Sequence, residues 1–140
     1  MSKSGPILII EDDEDDMEIF ESIVRDLEIP NKIRWFPETE SAYEFLETTK
    51  ERPFVIFCDI NLPGKNGLDF KRNIDKNPEL RKKSIPFLFF STQANQRDVD
   101  EAFTQMIVQG FFKKGTNYQE MKAMLKTIFD YWRCCKHPNS

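Results

Sequence analysis

The chain has 140 residues, of which 39% are hydrophobic and 31% are charged, and its formal net charge is −4. The length suits one domain with one core, and the negative charge gives no basis for nucleic-acid binding. No apolar run approaches the roughly 18 residues of a membrane span, and the N-terminus lacks the apolar segment of a signal peptide. We therefore expect a cytoplasmic protein of one domain over residues 1–140, with its core at about 6–133 and a short tail at 134–140.

Strand and helix patterns alternate along the chain. Short apolar runs bounded by turn residues predict five strands, at 7–10, 32–36, 54–58, 85–90 and 110–114. Apolar residues at helical spacing predict five helices, which carry the positions 17–27, 42–46, 68–74, 99–107 and 121–132. Thr116 and Asn117 are expected to cap the last helix, and the charged segment 79–84 reads as a connector with at most one helical turn.

Five β/α units in succession predict a parallel sheet with helices on both faces. The expected fold is therefore α/β, a flavodoxin-like doubly wound parallel sheet of five strands in the order 2-1-3-4-5, with five helices. Six phenylalanines of the second half are expected in its core: Phe87, Phe89, Phe90, Phe103, Phe111 and Phe112.

Polar side chains follow four of the five predicted strands: Glu11, Asp12 and Asp13, then Asp59, then Ser91, and finally Lys114. Because the carboxyl ends of parallel strands meet at one edge of a sheet, we expect these groups to converge. Two unit charges about 4 Å apart repel by roughly 4 kcal/mol at an effective dielectric near 20, so the acids need a shared cation or proton. Residues 13–16 are the exception, since acids there are typical of a helix start.

These residue types suit phosphoryl transfer. Carboxylates bind Mg²⁺ together with water and phosphate oxygens, and an aspartate such as Asp59 can form an aspartyl-phosphate. Ser91 and Lys114 can donate to the phosphoryl oxygens. Because strand side chains alternate, one of Lys113 and Lys114 should point to the site and the other outward, and the spacing of the motif favours Lys114 inward.

Four motifs in this order resemble the response-regulator receiver domain of two-component signalling, of the stand-alone single-domain type. They are Ile-Leu-Ile-Ile-Glu-Asp-Asp at 7–13, Cys-Asp-Ile-Asn-Leu-Pro-Gly-Lys-Asn-Gly at 58–67, Phe-Ser at 90–91 and Phe-Lys-Lys at 112–114. The resemblance extends from residue 7 to about residue 132.

The resemblance implies a phosphoacceptor and a Mg²⁺ site. Asp59 is similar to the phosphoacceptor and also to a metal ligand of the family. Asp12 is similar to the direct Mg²⁺ ligand, and Glu11 to a second ligand or one that acts through water. The backbone carbonyl of Asn61 would complete the protein ligands.

The resemblance also implies a switch. Ser91 matches the hydroxyl that binds the phosphoryl group and moves its loop, Lys114 matches the family's lysine, and Phe111 matches the aromatic switch position. Gly115 follows this lysine where the family usually has proline in a cis peptide, so a trans link and a costly cis bond both remain open. Thr92 stands where the family usually has a small residue.

The predicted function is that of a phosphoacceptor response regulator, not an enzyme acting on other substrates. It would receive a phosphoryl group on Asp59 from a histidine kinase or phosphotransfer protein, with Mg²⁺. It would then signal to a downstream protein, or form a homodimer, through the fourth predicted helix, the fifth strand and the fifth helix. The alternatives are an aspartate-nucleophile phosphatase, although Asn61 stands where such enzymes have a second aspartate, and a phosphorylation-independent interaction module. Asn61 and Gln93 are expected to tune the lifetime of the phosphorylated form.

Overall fold

The part of the chain that this computed structural model describes consists of residues 2–92, 95–115 and 117–136. Two positions of the sequence analysis therefore lie outside the described residues: Gln93, predicted to tune the phosphoryl lifetime, and Thr116, predicted to share the last helix cap. Residues 137–140 of the predicted tail also lie outside them.

Strands and helices alternate as the apolar patterns predict. The strands are β1 (Ile7–Ile10), β2 (Ile33–Phe36), β3 (Val55–Cys58), β4 (Phe87–Ser91) and β5 (Gly110–Lys113). The helices are α1 (Glu14–Asp26), α2 (Thr39–Thr48), α3 (Gly67–Lys76), α4 (Pro78–Lys83), α5 (Gln96–Gln105) and α6 (Tyr118–Cys134), and a short 3₁₀ helix at Ser2–Ser4 precedes β1. The strands form one sheet in the order β2-β1-β3-β4-β5, with parallel neighbours, which confirms the predicted fold.

The described residues contain six α-helices rather than five, because the predicted connector 79–84 coincides with α4. The side chain of Asn77 caps α4 by accepting the backbone N–H groups of Glu79 and Leu80 at 3.0 and 3.3 Å. Pro78 supplies a first helical residue with the right φ, and Leu80 is buried in the core. The fourth and fifth predicted helices are therefore α5 and α6.

Helix α5 is shorter than the apolar pattern predicts. It ends at Gln105, and the backbone N–H of Ile107 donates to the Asp75 carboxylate at 3.0 Å instead of continuing the helix. Phe103, predicted to lie in the core, is 53% exposed. The core prediction was wrong there because helical spacing does not reveal which face of a helix meets the sheet.

Each face of the sheet carries its own apolar cluster, since successive strand residues point to opposite faces. Ile7 and Ile9 pack with residues of α1 and α6, whereas Leu8 and Ile10 pack with residues of α2, α3 and α5. Strands β1, β3 and β4 are buried throughout, so the polar residues at their carboxyl ends are attached to well-packed backbone. Among the helices of the described ranges, none has both the length and the apolarity needed to cross a membrane.

Candidate functional site

The predicted acidic residues meet where β1 and β3 end. The two strands pair in register up to Ile10 and Cys58, and the backbone N–H of Asp59 donates to the carbonyl of Ile10 at 3.0 Å. Carboxylate oxygens of Glu11, Asp12 and Asp59 all lie within 4.8 Å of one another. Glu11 and Asp59 are buried, whereas Asp12 is exposed, so the group opens to solvent on one side.

The carboxylate of Asp59 is held from two directions. Its Oδ1 accepts the backbone N–H groups of Ile60 and Asn61 at 2.7 and 3.3 Å, and its Oδ2 accepts from Nζ of Lys114 at 3.2 Å. The backbone donors fix the orientation of the carboxylate, and its Oδ2 faces the Lys114 ammonium. An aspartate held in this way is suited to act as a positioned nucleophile.

Lys114 is the cation of the site. Its Nζ donates to the carboxylate of Glu11, to Asp16 at 3.0 Å and to Asp59 at 3.2 Å, and the residue is only 8% exposed. Burial lowers its pKa, but the hydrogen bond and charge of Glu11, together with Asp59 and Asp16, outweigh burial and raise the pKa above its ordinary value. The ammonium therefore stays charged, and Lys113 points outward to solvent as strand alternation predicts.

Glu11 balances opposing influences. Burial raises its pKa, the hydrogen bond and charge of Lys114 lower it, and the charge of Asp59 raises it, with the result that the pKa is raised to about 7. Its Oε1 also accepts the backbone N–H of Asp13 at 3.1 Å. Both oxygens of the buried Glu11 carboxyl therefore have a donor.

Helix α1 begins beside this network. Asp13 is its N-cap, and its side chain accepts the backbone N–H groups of Asp15 and Asp16, which confirms its assignment to the helix start. Asp16 was assigned only to the helix start, yet it also pairs with Lys114. No local spacing could have identified this contact, because Lys114 lies 98 positions further along the chain.

Helix α3 begins against the backbone of Asp59. The N–H of Gly67 donates to the carbonyl of Ile60 at 2.9 Å, and a Cβ at this position would overlap the backbone carbonyl of Asp59. Asn66 caps the helix by accepting the N–H of Asp69 at 2.9 Å. The Asn-Gly pair therefore brings α3 close behind the acidic site, which a residue with a side chain would prevent.

The other predicted site residues lie on or beside the neighbouring strands. Ser91 ends β4 and is fully buried, and its carbonyl accepts the backbone N–H of Lys114 at 2.7 Å. Phe111 is half-buried on β5, with its ring centroid 5.7 Å from that of Phe89. Asn61 is exposed beyond the end of β3. No peptide bond of the described residues is cis, so of the two alternatives for the link from Lys114 to Gly115 the trans form holds.

Comparison with known proteins gives one consistent result. Residues 7–126 match the model of the response regulator receiver domain. Over 131 residues the chain is 28% identical to the response regulator Rcp1 of Synechocystis sp., a match that covers 90% of this chain and 87% of Rcp1. It is 29% identical to the chemotaxis protein CheY-3 of Vibrio cholerae, with 93% of this chain and 95% of CheY-3 covered.

Solved structures agree with the fold. The Mn²⁺-bound form of response regulator Rcp1 superimposes with a TM-score of 0.83 at 25% identity and covers 96% of this chain and 99% of its own. The phosphorylated cyanobacterial phytochrome response regulator RcpA gives a TM-score of 0.85 at 23% identity, with 96% and 98% covered. The chain has carboxylates at the ends of its parallel strands and matches the family model over residues 7–126, and it belongs to the response regulator receiver domain family.

Proposed function

We propose that this protein accepts a phosphoryl group on Asp59 from a histidine kinase or phosphotransfer protein, in a Mg²⁺-dependent reaction, and passes the signal to a downstream protein. Membership of the receiver family supports a phosphoacceptor role in two-component signalling. The observation that carries the residue assignment is the position of Asp59, whose Oδ1 is held by two backbone N–H groups while Oδ2 meets Lys114. The match over residues 7–126 supports one receiver domain across the chain.

The proposed metal ligands are the carboxylates of Asp12, Glu11 and Asp59 and the backbone carbonyl of Asn61. Three carboxylate oxygens within 4.8 Å of one another, with one side open to water, suit a hard divalent cation. Rcp1, a relative of this chain, has been solved in a Mn²⁺-bound form. When bound, the cation would neutralise charge on the phosphoryl oxygens.

The chain's own groups have distinct proposed roles in the transfer. Oδ2 of Asp59 attacks phosphorus, so that a new O–P bond forms while the bond from phosphorus to the donor breaks and the donor leaves with its electron pair. Lys114 and the hydroxyl of Ser91 donate to the phosphoryl oxygens and offset their charge in the transition state. Lys114 already lies 3.2 Å from Oδ2, so little rearrangement is needed to reach the incoming group.

The proposed output surface consists of α5, β5 and α6, and we define it as the output face. Phe103 of α5 and Ile107, just beyond its end, are 53% and 49% exposed, and exposed apolar side chains on this surface would suit contact with a protein partner. Phe111 lies on the neighbouring strand, where it is half-buried and its ring packs against that of Phe89. We propose that phosphorylation changes its position together with Ser91, and that a target protein or a second copy of the chain binds the output face.

The test is phosphorylation with an acyl phosphate and Mg²⁺, followed by mass spectrometry of the intact protein. We expect wild type to gain one phosphoryl group, Asp59→Asn to gain none, and Asp12→Asn to need far more Mg²⁺. Asp69→Asn, which changes an exposed carboxylate on α3, is the matched control and should behave as wild type. Label retained by Asp59→Asn at the wild-type level would contradict the assignment. Sustained phosphate release from a phosphomonoester would favour the phosphatase. If the protein neither gains the phosphoryl group nor binds Mg²⁺, the phosphorylation-independent interaction module is favoured.

A further inference from the structure

Trp35 makes a contact with the acidic site that its place in the sequence does not suggest. It lies on the edge strand β2, opposite Ile9 of β1, and is 39% exposed. Its indole Nε1–H donates to the backbone carbonyl of Glu11 at 2.6 Å. A large aromatic residue that remains this exposed gains only part of its possible burial energy, so the hydrogen bond is the distinctive feature of its position.

The carbonyl of Glu11 lies one residue past the β1–β2 ladder, whose last pair is Ile10 and Phe36. The N–H of Glu11 still donates to the carbonyl of Phe36 at 3.0 Å, and the indole supplies the donor for the carbonyl. Together with the side-chain contacts to Lys114 and to the N–H of Asp13, these bonds hold Glu11 on all sides.

The peptide unit that Trp35 holds is the one that leads to Asp12. Asp12 is the exposed member of the carboxylate group, and no hydrogen bond of its own side chain is among the contacts that hold Glu11 and Asp59. Its orientation therefore depends on the backbone from which it projects. Fixing the plane of the peptide between Glu11 and Asp12 restricts where that carboxylate can go.

We propose that Trp35 is a positioning residue for the divalent-cation site: its indole N–H holds the Glu11 carbonyl and so pre-orients the Asp12 carboxylate. The proposal rests on the proposed function, because it assumes that these carboxylates bind a cation. Phenylalanine would keep most of the apolar contact and lose only the donor, since among the aromatic rings of this size only the indole has an N–H there. Groups that orient metal ligands from outside the coordination shell commonly affect metal affinity.

The experiment compares wild type with Trp35→Phe, using Mg²⁺ as the probe. Calorimetry should give a Kd for Mg²⁺ that is roughly threefold to tenfold weaker in the variant, the range expected for loss of one neutral hydrogen bond. The Tm without metal should fall by no more than about 5 °C. The variant should need a higher Mg²⁺ concentration to reach half of its maximal phosphorylation rate, but its rate at saturating Mg²⁺ should equal that of wild type. A general structural defect would lower the rate at saturating Mg²⁺ as well. Tyr131→Phe, at a 62% exposed position on α6, is the matched control and should leave the Kd unchanged.

A second measurement keeps the native Trp35. In Trp132→Phe, which leaves Trp35 as the single tryptophan, Mg²⁺ should change the tryptophan emission. If Mg²⁺ binds and that emission does not respond, the proposal is overturned. It is also overturned if Trp35→Phe binds Mg²⁺ as wild type does, or if its rate stays low at saturating Mg²⁺. If wild type itself does not bind Mg²⁺, the proposed metal site fails, and the role of Trp35 fails with it.

Discussion

Two lysines of this protein are almost completely buried, and they differ in the number of carboxylates around them. Lys114 is 8% exposed at the carboxyl edge of the sheet, where Glu11, Asp16 and Asp59 accept from its Nζ. Lys71 is 5% exposed on α3, where its Nζ bonds Asp75 at 2.8 Å and lies 5.0 Å from the centre of the Phe87 ring. The first amino group faces three carboxylates and the second faces one.

The pKa values of the two lysines move in opposite directions as a result. Burial lowers the pKa of both, but at Lys114 the three carboxylates outweigh burial and the pKa rises. At Lys71, Asp75 offsets burial only in part and the charge of Arg81 adds to the lowering, so the pKa falls. The number of carboxylates that face a buried amino group thus decides the direction in which its pKa shifts.

The two lysines also differ in what they hold together. Lys114 joins β5 to the acids that follow β1 and β3, where the chemistry is proposed to occur. Lys71 and Asp75 form a pair within α3, and the second oxygen of Asp75 accepts the N–H of Ile107. This second network therefore anchors the segment that follows α5 to α3, on the approach to the output face. We expect Lys114 to matter for reaction rate and the Lys71–Asp75 pair to matter for stability.

The largest expected effect comes from removing the cation of the site. Lys114→Met should slow phosphorylation by an acyl phosphate roughly 10²- to 10³-fold, the usual effect of losing one donor to a developing negative charge. Lys71→Met removes an equally buried amino group, which pairs with Asp75 instead of with the acids of the site, and it should leave the rate unchanged. Single-turnover labelling at saturating Mg²⁺ measures both. Equal slowing in the two variants would show that the loss of any buried amino group slows the reaction, and that the contacts of Lys114 with the carboxylates have no special role.

A smaller effect is expected from removing the partner of Lys71. Asp75→Asn leaves a buried amino group without a counter-charge and should lower the free energy of unfolding by about 3 kcal/mol, as breaking a buried pair does. The Lys126–Asp130 pair of α6 offers a matched control, because its side chains are 62% and 61% exposed. Asp130→Asn should cost less than about 1 kcal/mol. Urea unfolding gives both values, and similar losses would mean that the Lys71–Asp75 pair behaves as a surface pair.

The smallest expected effect is a change in how the free energy of unfolding depends on pH. Because the pKa of Lys71 in the folded protein lies below the ordinary 10.5, the unfolded chain binds more protons between these two values. The free energy of unfolding should therefore rise with pH across that window, relative to Lys71→Met. Lys114 acts in the opposite sense, since its raised pKa adds stability that is lost only as pH rises beyond 10.5.

Urea titrations from neutral pH towards 10.5 test this sign for Lys71. Lys126→Met, which removes an exposed lysine from α6, controls for the general loss of a positive charge. If the free energy of unfolding of wild type stays constant or falls with pH relative to that of Lys71→Met, the lowered pKa of Lys71 is contradicted.

Much of the site was predictable because parallel strands bring their carboxyl ends together. Once Ile7–Ile10 and Val55–Cys58 are recognised as neighbouring buried strands, Glu11, Asp12 and Asp59 have to meet. The alternation of side chains likewise predicted that Lys113 and Lys114 point in opposite directions. These predictions depend only on local periodicity and on the rules of sheet topology.

The contacts that were missed come from elements distant in the chain. Trp35 meets the backbone of Glu11 across a strand pair, and Asp16 meets Lys114 across 98 positions. Phe103 has the apolar character of a core residue but lies on the outer side of α5. No local pattern distinguishes these outcomes, because they depend on how each helix or strand is rotated against its neighbours.

Local periodicity, capping residues and strand-end acids, together with the topology rules for parallel sheets, were thus sufficient to predict the fold class and the carboxylate group. The order of the strands was taken from the flavodoxin-like arrangement. The folded structure was needed to find the directions in which the pKa values of the two buried lysines shift, the group that donates to the Glu11 carbonyl and the exposure of apolar side chains on the output face. Each of these depends on which groups lie within a few ångströms in space, and electrostatic and hydrogen-bond energies fall off over that same short range.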